Sequence, residues 1–500
     1  MTLNYRIITI LIFTITIFLC GCGKDEIVEP NVDLFNFTFK KNNNVELYDD
    51  ITLVKKDVLI KGNVPIKIDL TALVADFEFI GHEIKIGDKP QQSGVTVNDF
   101  SKAINYTITD ENGLSKDFVV EVSLFTGLPI INIYTHDSLE ITSKEDYIRG
   151  YVNIWGGIPY NNISGDMKIR GRGHSTWENH PKKPYQLKLN TEAEVLGMHE
   201  ARKWIFLAEY SDKTLLRNSL AFEMGYISNL DWTPQYVFSE VFINDEYNGT
   251  YNLCEKVEAG INRVNIGDNG YLCEIDTPDH LAPDDIYFNS TRFTIQIKEP
   301  ETTTNSEKFN YIKNHIIEFE EVLYSNNFKD PENGYQKYID VASFVDWYLI
   351  NEISKNLDSK SYSSMYFSHI PGEKIKMGPI WDFDLSFGNV NFTECEFVDS
   401  FWTKRHAWFS RLFEDPIFVQ KVRERFAYYR ENESYLLEFI DAKAEHLHFA
   451  QQENDLRWDI YGNYIWPNPV VLDTYEEDLA YLKNWFIERM KWLDEAYANL

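Results

Sequence analysis

The spacing of apolar residues changes along this chain, and that change restricts the fold more than any other feature. From about residue 33 to 125, runs such as VELYDDITLV and INYTITDENG alternate apolar and polar residues. Gly, Asn and Asp separate the runs. Turn signals that recur about every ten residues between alternating runs are typical of a β-sandwich. We therefore predict an all-β domain over residues 33–126.

The rest of the chain divides into a β-rich half and a helical half. Over residues 127–300, strand-like runs surround one helical stretch, SDKTLLRNSLAFEMGYI, for which Ser211 is the predicted N-cap. Over residues 301–500, apolar residues recur with helical period, as in DVASFVDWYLINEISKN, for which Asp340 is the predicted cap. This pattern predicts a second, α+β domain with a β-rich lobe followed by a helical lobe.

Residues 1–22 carry the features of a secretory signal peptide. Arg6 precedes the apolar run IITILIFTITIFLCGC. The run ends in Leu-Cys-Gly-Cys, which resembles a lipobox with Cys22 as the lipidated residue, and residues 23–32 then form a tether. The sequence GKDE that begins at residue 23 resembles a signal that sends some Gram-negative lipoproteins to the outer surface. We therefore expect an outer-membrane lipoprotein, exposed at the cell surface, that contacts the membrane through its lipid anchor.

Composition excludes several classes of function. The chain has 78 acidic against 48 basic residues, a net charge of −30, and such a field repels nucleic acid and anionic lipid. Beyond the signal peptide only three cysteines remain, without a CxxC pair or a Cys/His cluster. A disulfide framework and a zinc site are therefore excluded. Cys254 and Cys273 lie in apolar, strand-like runs and are predicted to be core residues.

A glycine pair precedes a strand that carries a lysine. In IRGRGHSTW, Gly171 and Gly173 would let the backbone approach a phosphate group closely. In the following YQLKL, the apolar residues share one face by alternation, so Lys188 points to the other face. Lys183 is an equally placed rival. This pattern favours a phosphate site, and the alternative is a plain turn followed by a solvated lysine.

Three aspartates lie in stretches that otherwise read as core. In IWDFDLSFGN, strand alternation would place Asp382 and Asp384 on one face, where two carboxylates repel each other unless a divalent cation lies between them. Asp358 lies upstream, after a helix and before the strand-like SSMYFS. A base in a loop, then a hairpin, then a metal-binding Asp is the layout of a phosphotransfer site. The alternative is that Asp382 and Asp384 cap a turn or pair with arginine.

Four motifs follow one another in a recognisable order: RGRGHSTWENHPKKPYQLKLN, LLRNSLAFE, NDEYNGTYNLCEKVE and GPIWDFDLSFGN. Together they resemble the spore coat protein H (CotH) kinase family, over roughly residues 128–430. The resemblance implies an atypical protein-kinase-like fold that binds ATP with Mg²⁺ or Mn²⁺ and phosphorylates protein side chains. The all-β region before it is similar to the immunoglobulin-like modules that precede catalytic or binding domains in bacterial surface lipoproteins.

The resemblance also assigns roles to the candidates for nucleotide binding. The loop that contains Arg172, Gly173 and Ser175 would cover the phosphates of ATP. Either Lys183 or Lys188 would pair with those phosphates.

The remaining roles concern the lobe junction and the reaction itself. Glu255 would lie near the junction of the lobes or orient the lysine. Asp358 would orient or deprotonate the acceptor hydroxyl. Asp382, with Asp384 nearby, would hold the metal ion. Catalysis would then consist mostly of positioning and charge neutralisation.

Two features keep other functions open. Active family members tend to carry an Asn shortly after the catalytic-loop Asp, whereas residues 359–363 here read SKSYS. Export also separates the protein from cytosolic ATP. The alternatives are a non-catalytic kinase-like surface module that binds protein or glycan, with Trp402 and Trp408 at its contact face, and a metal-dependent phosphoester hydrolase.

Overall fold

The computed structural model describes residues 30–47, 50–157, 159–360 and 363–500. The predicted signal peptide, the lipidation site Cys22 and most of the tether lie outside the described residues. The chain divides into two compact units: residues up to Gly62 with Leu70–Glu121, and Asn63–Asp69 with Val122–Leu500. In the described part, no helix combines the length and the hydropathy that a membrane span requires.

The N-terminal unit is a β region, as its alternating pattern predicts. Its strands form a three-stranded sheet in the order β2-β1-β6, a six-stranded sheet in the order β3-β4-β11-β10-β7-β8, and the pair β5-β9. Aromatic residues of both larger sheets pack together, since the ring of Phe37 lies 5.4 Å from Tyr106 and 5.8 Å from Phe77. The strands are β1 (Asp33–Phe39), β2 (Ile51–Thr52), β3 (Val54–Lys56), β4 (Leu59–Val64), β5 (Leu73–Val74), β6 (Asp76–Ile80), β7 (Glu83–Ile86), β8 (Lys89–Pro90), β9 (Val97–Asn98), β10 (Ile104–Thr109) and β11 (Ser115–Leu124).

The C-terminal unit begins with a closed seven-stranded barrel in the order β12-β13-β14-β15-β16-β18-β17. All neighbours are antiparallel except β12 and β17, which run parallel and close the barrel. Alternate residues such as Val152, Leu187 and Trp204 fill its interior. The strands are β12 (Ile130–Thr135), β13 (Ile148–Trp155), β14 (Ile163–Gly171), β15 (Tyr185–Val195), β16 (Met198–Leu207), β17 (Tyr236–Ile243) and β18 (Glu246–Glu255).

A five-stranded sheet and a set of helices complete this unit and share one large apolar core. The chain is therefore a mixed α+β protein with a helical C-terminal part, and the sheet takes its last two strands from the half predicted to be helical. The strands, in the order β20-β21-β19-β22-β23, are β19 (Tyr271–Ile275), β20 (Tyr287–Asn289), β21 (Thr294–Glu299), β22 (Met365–His369) and β23 (Lys376–Met377). The helices are α1 (Ser175–Asn179), α2 (Arg217–Tyr226), α3 (Glu307–Leu323), α4 (Val341–Ser354), α5 (Ala407–Leu412), α6 (Pro416–Glu431), α7 (Glu433–His446), α8 (His448–Trp458) and α9 (Tyr475–Ala498).

The two predicted helix caps have different outcomes. Asp340 caps α4 as predicted, because its carboxylate accepts a hydrogen bond from the backbone N–H of Ser343 at 2.8 Å. The prediction for Ser211 is wrong, since α2 begins only at Arg217. The carboxylate of Asp212 takes the place of a cap by accepting from the Arg217 N–H at 2.7 Å and from the Arg217 guanidinium.

A buried ion pair joins α9 to α4 and to the loop that follows the sheet. Arg489 donates to the Glu352 carboxylate at 2.7 Å, and both side chains are fully buried. Arg489 also donates to the carbonyls of Val398 and Ser400. The same carboxylate accepts from the backbone N–H of Trp402 at 2.7 Å. The Arg489–Glu352 pair therefore fixes the loop that contains Val398, Ser400 and Trp402, because it provides hydrogen-bond partners for the buried backbone groups of that loop.

Replacing Arg489 with Met should lower the free energy of unfolding of this unit by about 3–5 kcal/mol, because the buried Glu352 side chain would lose its cationic partner. Urea denaturation measures this change. The matched control is Arg405→Met, which breaks an exposed pair with Glu394 and should change stability little. Equal effects of the two substitutions would contradict the role of the buried pair.

Candidate active site

A cavity of about 890 Å³ in the C-terminal unit collects residues from the barrel, the five-stranded sheet and the loops after α4. Its volume falls in the range that small-molecule ligands occupy. Charged and polar side chains dominate its wall. The wall includes Arg172, Gly173, Ser175, Glu209, Asn218, Glu274, Asp276, Gln296, Lys298, Asp358, Ser364, Trp381, Asp382 and Asp384.

All three predicted aspartates line this cavity. The reason predicted for the pairing of Asp382 and Asp384 is wrong, however, because residues 380–385 form no strand. Asp382 instead adopts a positive φ of 55°, which is uncommon for a residue other than glycine. Phe383 between the two aspartates is fully buried, so the chain turns its acidic side chains into the cavity and its ring into the core.

Asp358 lies in a short 3-10 turn, Leu357–Lys360, that follows α4. The indole N–H of Trp402 donates to the Leu357 carbonyl at 3.1 Å, and the hydroxyl groups of Ser359 and Thr403 are hydrogen-bonded at 2.7 Å. The loop fixed by the Arg489–Glu352 pair therefore also holds the turn that carries Asp358. Trp402 is a structural support of the cavity.

The prediction that Trp402 and Trp408 lie at a contact face is wrong, because both side chains are buried. Trp402 is 4 % exposed and Trp408 is 0 % exposed. The Trp408 indole donates to Glu320 inside the core. Neither ring is therefore available to a protein or glycan partner.

Asp382 is held by a chain of hydrogen bonds that begins in α2. The hydroxyl of Ser364 donates to the Asp382 carboxylate at 3.0 Å. The backbone N–H of Phe383 donates to the Asn218 carbonyl oxygen at 2.8 Å, and the Asn218 amide donates to Glu209 at 3.1 Å. Asn218 lies in the motif LLRNSLAFE, where consecutive polar residues interrupt an otherwise apolar helix and could have indicated it.

The carboxylates of the cavity raise one another's pKa. Burial raises the pKa of Asp384 to about 7, with further contributions from the charges of Asp382 and Asp212. Burial and the charges of Asp382 and Asp384 hold the pKa of Asp358 well above its usual range. The pKa of Glu209 is raised in the same way, by burial and by Asp212 and Asp384. The wall thus carries more acidic side chains than cations, and each carboxylate disfavours the ionisation of the others.

Two cations face this charge, and one of them was not predicted. Burial raises the pKa of Asp382, whereas Arg172 opposes that shift. The guanidinium of Arg172 also lies 5.4 Å from the centre of the Trp381 ring. Lys298, which sequence reasoning missed, lies 3.0 Å from Glu274 and 2.8 Å from the Gln296 side-chain oxygen. Alternation in TIQIKE could have indicated it, because Ile295 and Ile297 are buried and Gln296 and Lys298 share the opposite face.

Asp276, which follows β19, is another acidic residue of the cavity wall that was not predicted. Burial and the charge of Glu274 raise its pKa to about 6. Its carboxylate lies 3.0 Å from Nδ1 of His280, and the His280 ring stacks on His174 with centroids 4.4 Å apart. These groups extend the charged wall of the cavity toward the Gly173 loop.

Three predicted nucleotide ligands lie away from the cavity wall. Lys183 donates to the backbone carbonyl of Trp177. Lys188 points outward from the barrel as alternation predicts, but there it lies opposite Lys168 and Lys203. Glu255 pairs with the Arg263 guanidinium at 2.5 Å instead of with a lysine.

The two glycines of the predicted phosphate loop differ in their constraints. Gly173 lines the cavity and has a φ of +82°, a conformation that favours glycine. At Gly171 a Cβ would lie 2.2 Å from the Trp177 ring, so the missing side chain makes room for an indole. Arg172 and Ser175 line the cavity with Gly173, so this loop forms part of the cavity wall.

The acidic side chains suit a hard cation by their chemistry. Among the described residues, no group of three or more His, Cys, Asp or Glu side chains has the geometry of a metal-binding cluster. Mg²⁺ usually takes only one or two protein carboxylates and completes its shell with water and substrate phosphates. Asp382 and Asp384 provide such a pair in a cavity with excess negative charge.

Comparisons with known proteins bear on this arrangement. No curated protein matches the sequence. One solved structure that aligns with the chain is a protein of Bacteroides thetaiotaomicron described as a candidate glycoside hydrolase. It is 11% identical, the alignment covers 58% of this chain and 89% of that chain, and the TM-score is 0.16, a value too low to support an argument. The family described as CotH kinase protein matches residues 169–493, well over half of the chain. The protein therefore belongs to the CotH kinase protein family.

Proposed function

We propose that this protein is an atypical kinase that transfers a phosphoryl group from ATP to hydroxyl side chains of a protein acceptor. The observation that carries the proposal is the meeting of Asp358, Asp382 and Asp384 with Arg172 and Lys298 around one cavity. Membership of the CotH kinase family supports the same reaction. Phosphoryl transfer needs little covalent chemistry from the protein, so positioned charges of both signs are its main requirement.

The cations of the cavity take the phosphate-binding role. Arg172 and Lys298 line the wall, whereas Lys183 and Lys188 do not. We therefore assign contact with the phosphate oxygens to Arg172 and Lys298, and the cover over the phosphates to the loop of Gly173 and Ser175. A guanidinium binds two phosphate oxygens at once, and an ammonium acts as a point charge.

The acidic residues take the remaining roles. Asp382 and Asp384 would hold Mg²⁺ or Mn²⁺, which neutralises the charge of the phosphates when it is bound. Asp358 would accept a hydrogen bond from the acceptor hydroxyl and take its proton as transfer proceeds. The Ser359–Thr403 hydrogen bond and the Trp402 indole fix the turn of Asp358, so this carboxylate is oriented before substrate binds.

The N-terminal sequence supports a proposal about where the protein acts. We propose that Cys22 is lipidated and that the kinase domain is displayed on the outer surface, where it uses ATP from outside the cell. Palmitate labelling of the protein in cells should disappear in Cys22→Ser, and protease added to intact cells should digest the native protein. Labelling that survives the substitution would contradict the anchor.

Stability should respond to pH and metal through Asp384. The folded protein releases this proton near pH 7 and the unfolded chain near about pH 4, so between these values the free energy of unfolding falls as pH rises. Asp384→Asn should therefore melt at a higher temperature than the native protein at pH 8, with a smaller gain at pH 4. Mg²⁺ should stabilise the native protein more than the variant. A variant that melts lower at pH 8 without metal would contradict this account.

Kinetic measurements separate the two sets of basic residues. In transfer of radiolabel from ATP to casein or to the protein itself, Arg172→Ala and Lys298→Ala should raise the KM for ATP about tenfold or more, since each loses a charged hydrogen bond. The matched control Lys183→Ala should leave KM near the native value. Asp358→Ala and Asp382→Ala should each abolish transfer.

The outcomes also distinguish the alternatives. Release of inorganic phosphate without transfer to any acceptor would favour a metal-dependent phosphoester hydrolase. A folded protein that ATP and Mg²⁺ do not stabilise would favour a non-catalytic binding module. A raised KM in Lys183→Ala together with a native KM in Lys298→Ala would contradict the phosphate assignment.

A further inference from the structure

Four basic residues form a row on the outer face of the barrel. Arg149 of β13 lies directly opposite Lys168 of β14, Lys168 opposite Lys188 of β15, and Lys188 opposite Lys203 of β16. Their neighbours along each strand fill the barrel interior, so the four side chains project outward. Arg149 and Lys168 are exposed, and the other two are half-buried.

This basic row is unfavourable by itself. Like charges directly opposite one another on neighbouring strands repel. Lys203 has an acidic partner, Glu258, at 2.9 Å. Within the described ranges, Arg149, Lys168 and Lys188 form no ion pair. In a chain with a net charge of −30, a row of four positive charges with one acidic partner has no role in folding that the contacts explain.

The basic row continues toward the cavity through Lys256. Because Trp204 pairs with Glu255 across β16 and β18, Lys203 and Lys256 come close together. Glu258 contacts both, at 2.9 Å from Lys203 and 3.8 Å from Lys256. Burial, together with the charges of Lys203, Lys298 and Arg172, lowers the pKa of Lys256 to about 8, whereas Glu258 opposes this shift. Lys256 therefore lies within the electrostatic reach of both the basic row and the two cations of the cavity.

We propose that the basic row is a docking surface for an acidic segment of the acceptor polypeptide, which leads that polypeptide to the cavity. The proposal depends on the proposed kinase function only for what happens in the cavity. The docking itself requires no nucleotide.

A short peptide suits this surface better than other anions do. Neighbouring strands lie about 4.8 Å apart, which is close to the separation of about 5–6 Å between side chains three or four residues apart on a helix. Each carboxylate of an acidic segment can therefore pair with one basic side chain of the row. A nucleic acid or an anionic membrane extends far beyond the row and would meet the acidic remainder of the protein.

The test uses a fluorescent peptide of alternating Glu and Ser, whose binding to the whole protein is followed by anisotropy at low salt without nucleotide. The double variant Lys168→Glu/Lys188→Glu should weaken binding about tenfold or more. The matched control Lys89→Glu/Lys102→Glu changes net charge equally at exposed lysines of the N-terminal unit and should bind nearly as the native protein does. A peptide of alternating Lys and Ser should not bind.

The possible outcomes test the docking surface and the kinase function separately. Equal weakening in both double variants, or none in either, would overturn the docking surface. If a sulfated oligosaccharide of the same charge binds at least about tenfold more tightly than the peptide, the row is assigned to glycans. That result would contradict the proposal that its ligand is an acidic polypeptide. Stabilisation by ATP and Mg²⁺, measured on the same samples, tests the kinase function separately, because neither lysine lines the cavity.

Discussion

Repulsion between buried carboxylates is the constraint on which this structure depends. Asp358, Asp382 and Asp384 face one cavity, and Glu209 and Asp212 lie close enough to raise the pKa of their neighbours. Such a group of charges is costly to desolvate, and only part of it is balanced by Arg172 and Lys298. Under the proposed function, Mg²⁺ or Mn²⁺ would bring positive charge to Asp382 and Asp384 and so reduce this repulsion.

The fold holds these charges in place with a second set of buried polar contacts. The Arg489–Glu352 pair fixes the loop that supports the turn of Asp358. The Arg217–Asp212 pair orders the start of α2, from which Asn218 reaches both Glu209 and the backbone beside Asp382. Neither pair lines the cavity. Their role is to keep the aspartates from moving apart, which is the relaxation that repulsion favours.

Much of this arrangement could be predicted from sequence, and the exceptions have physical causes. Local patterns gave the β region, the cap at Asp340 and the outward direction of Lys188. The sequence predicted that Asp358, Asp382 and Asp384 share one site. The positive φ of Asp382 shows, however, that strand alternation does not explain how Asp382 and Asp384 come to face the same cavity. Ser211 does not cap α2, because the buried Asp212–Arg217 pair fixes the start of that helix at Arg217.

Residues that reach the cavity only through tertiary structure were harder to predict. Glu209 and Lys298 lie outside the four motifs and meet the motif residues only when the barrel and the five-stranded sheet pack against the helices.

The central claim is that Asp382 and Asp384 hold a divalent cation together with nucleotide phosphate. Crystals soaked with Mn²⁺ and a non-hydrolysable ATP analogue test it most directly. An anomalous peak about 2.1 Å from oxygens of both aspartates and of a phosphate is the predicted result. Nucleotide bound without such a peak, or a peak remote from both carboxylates, would contradict the claim.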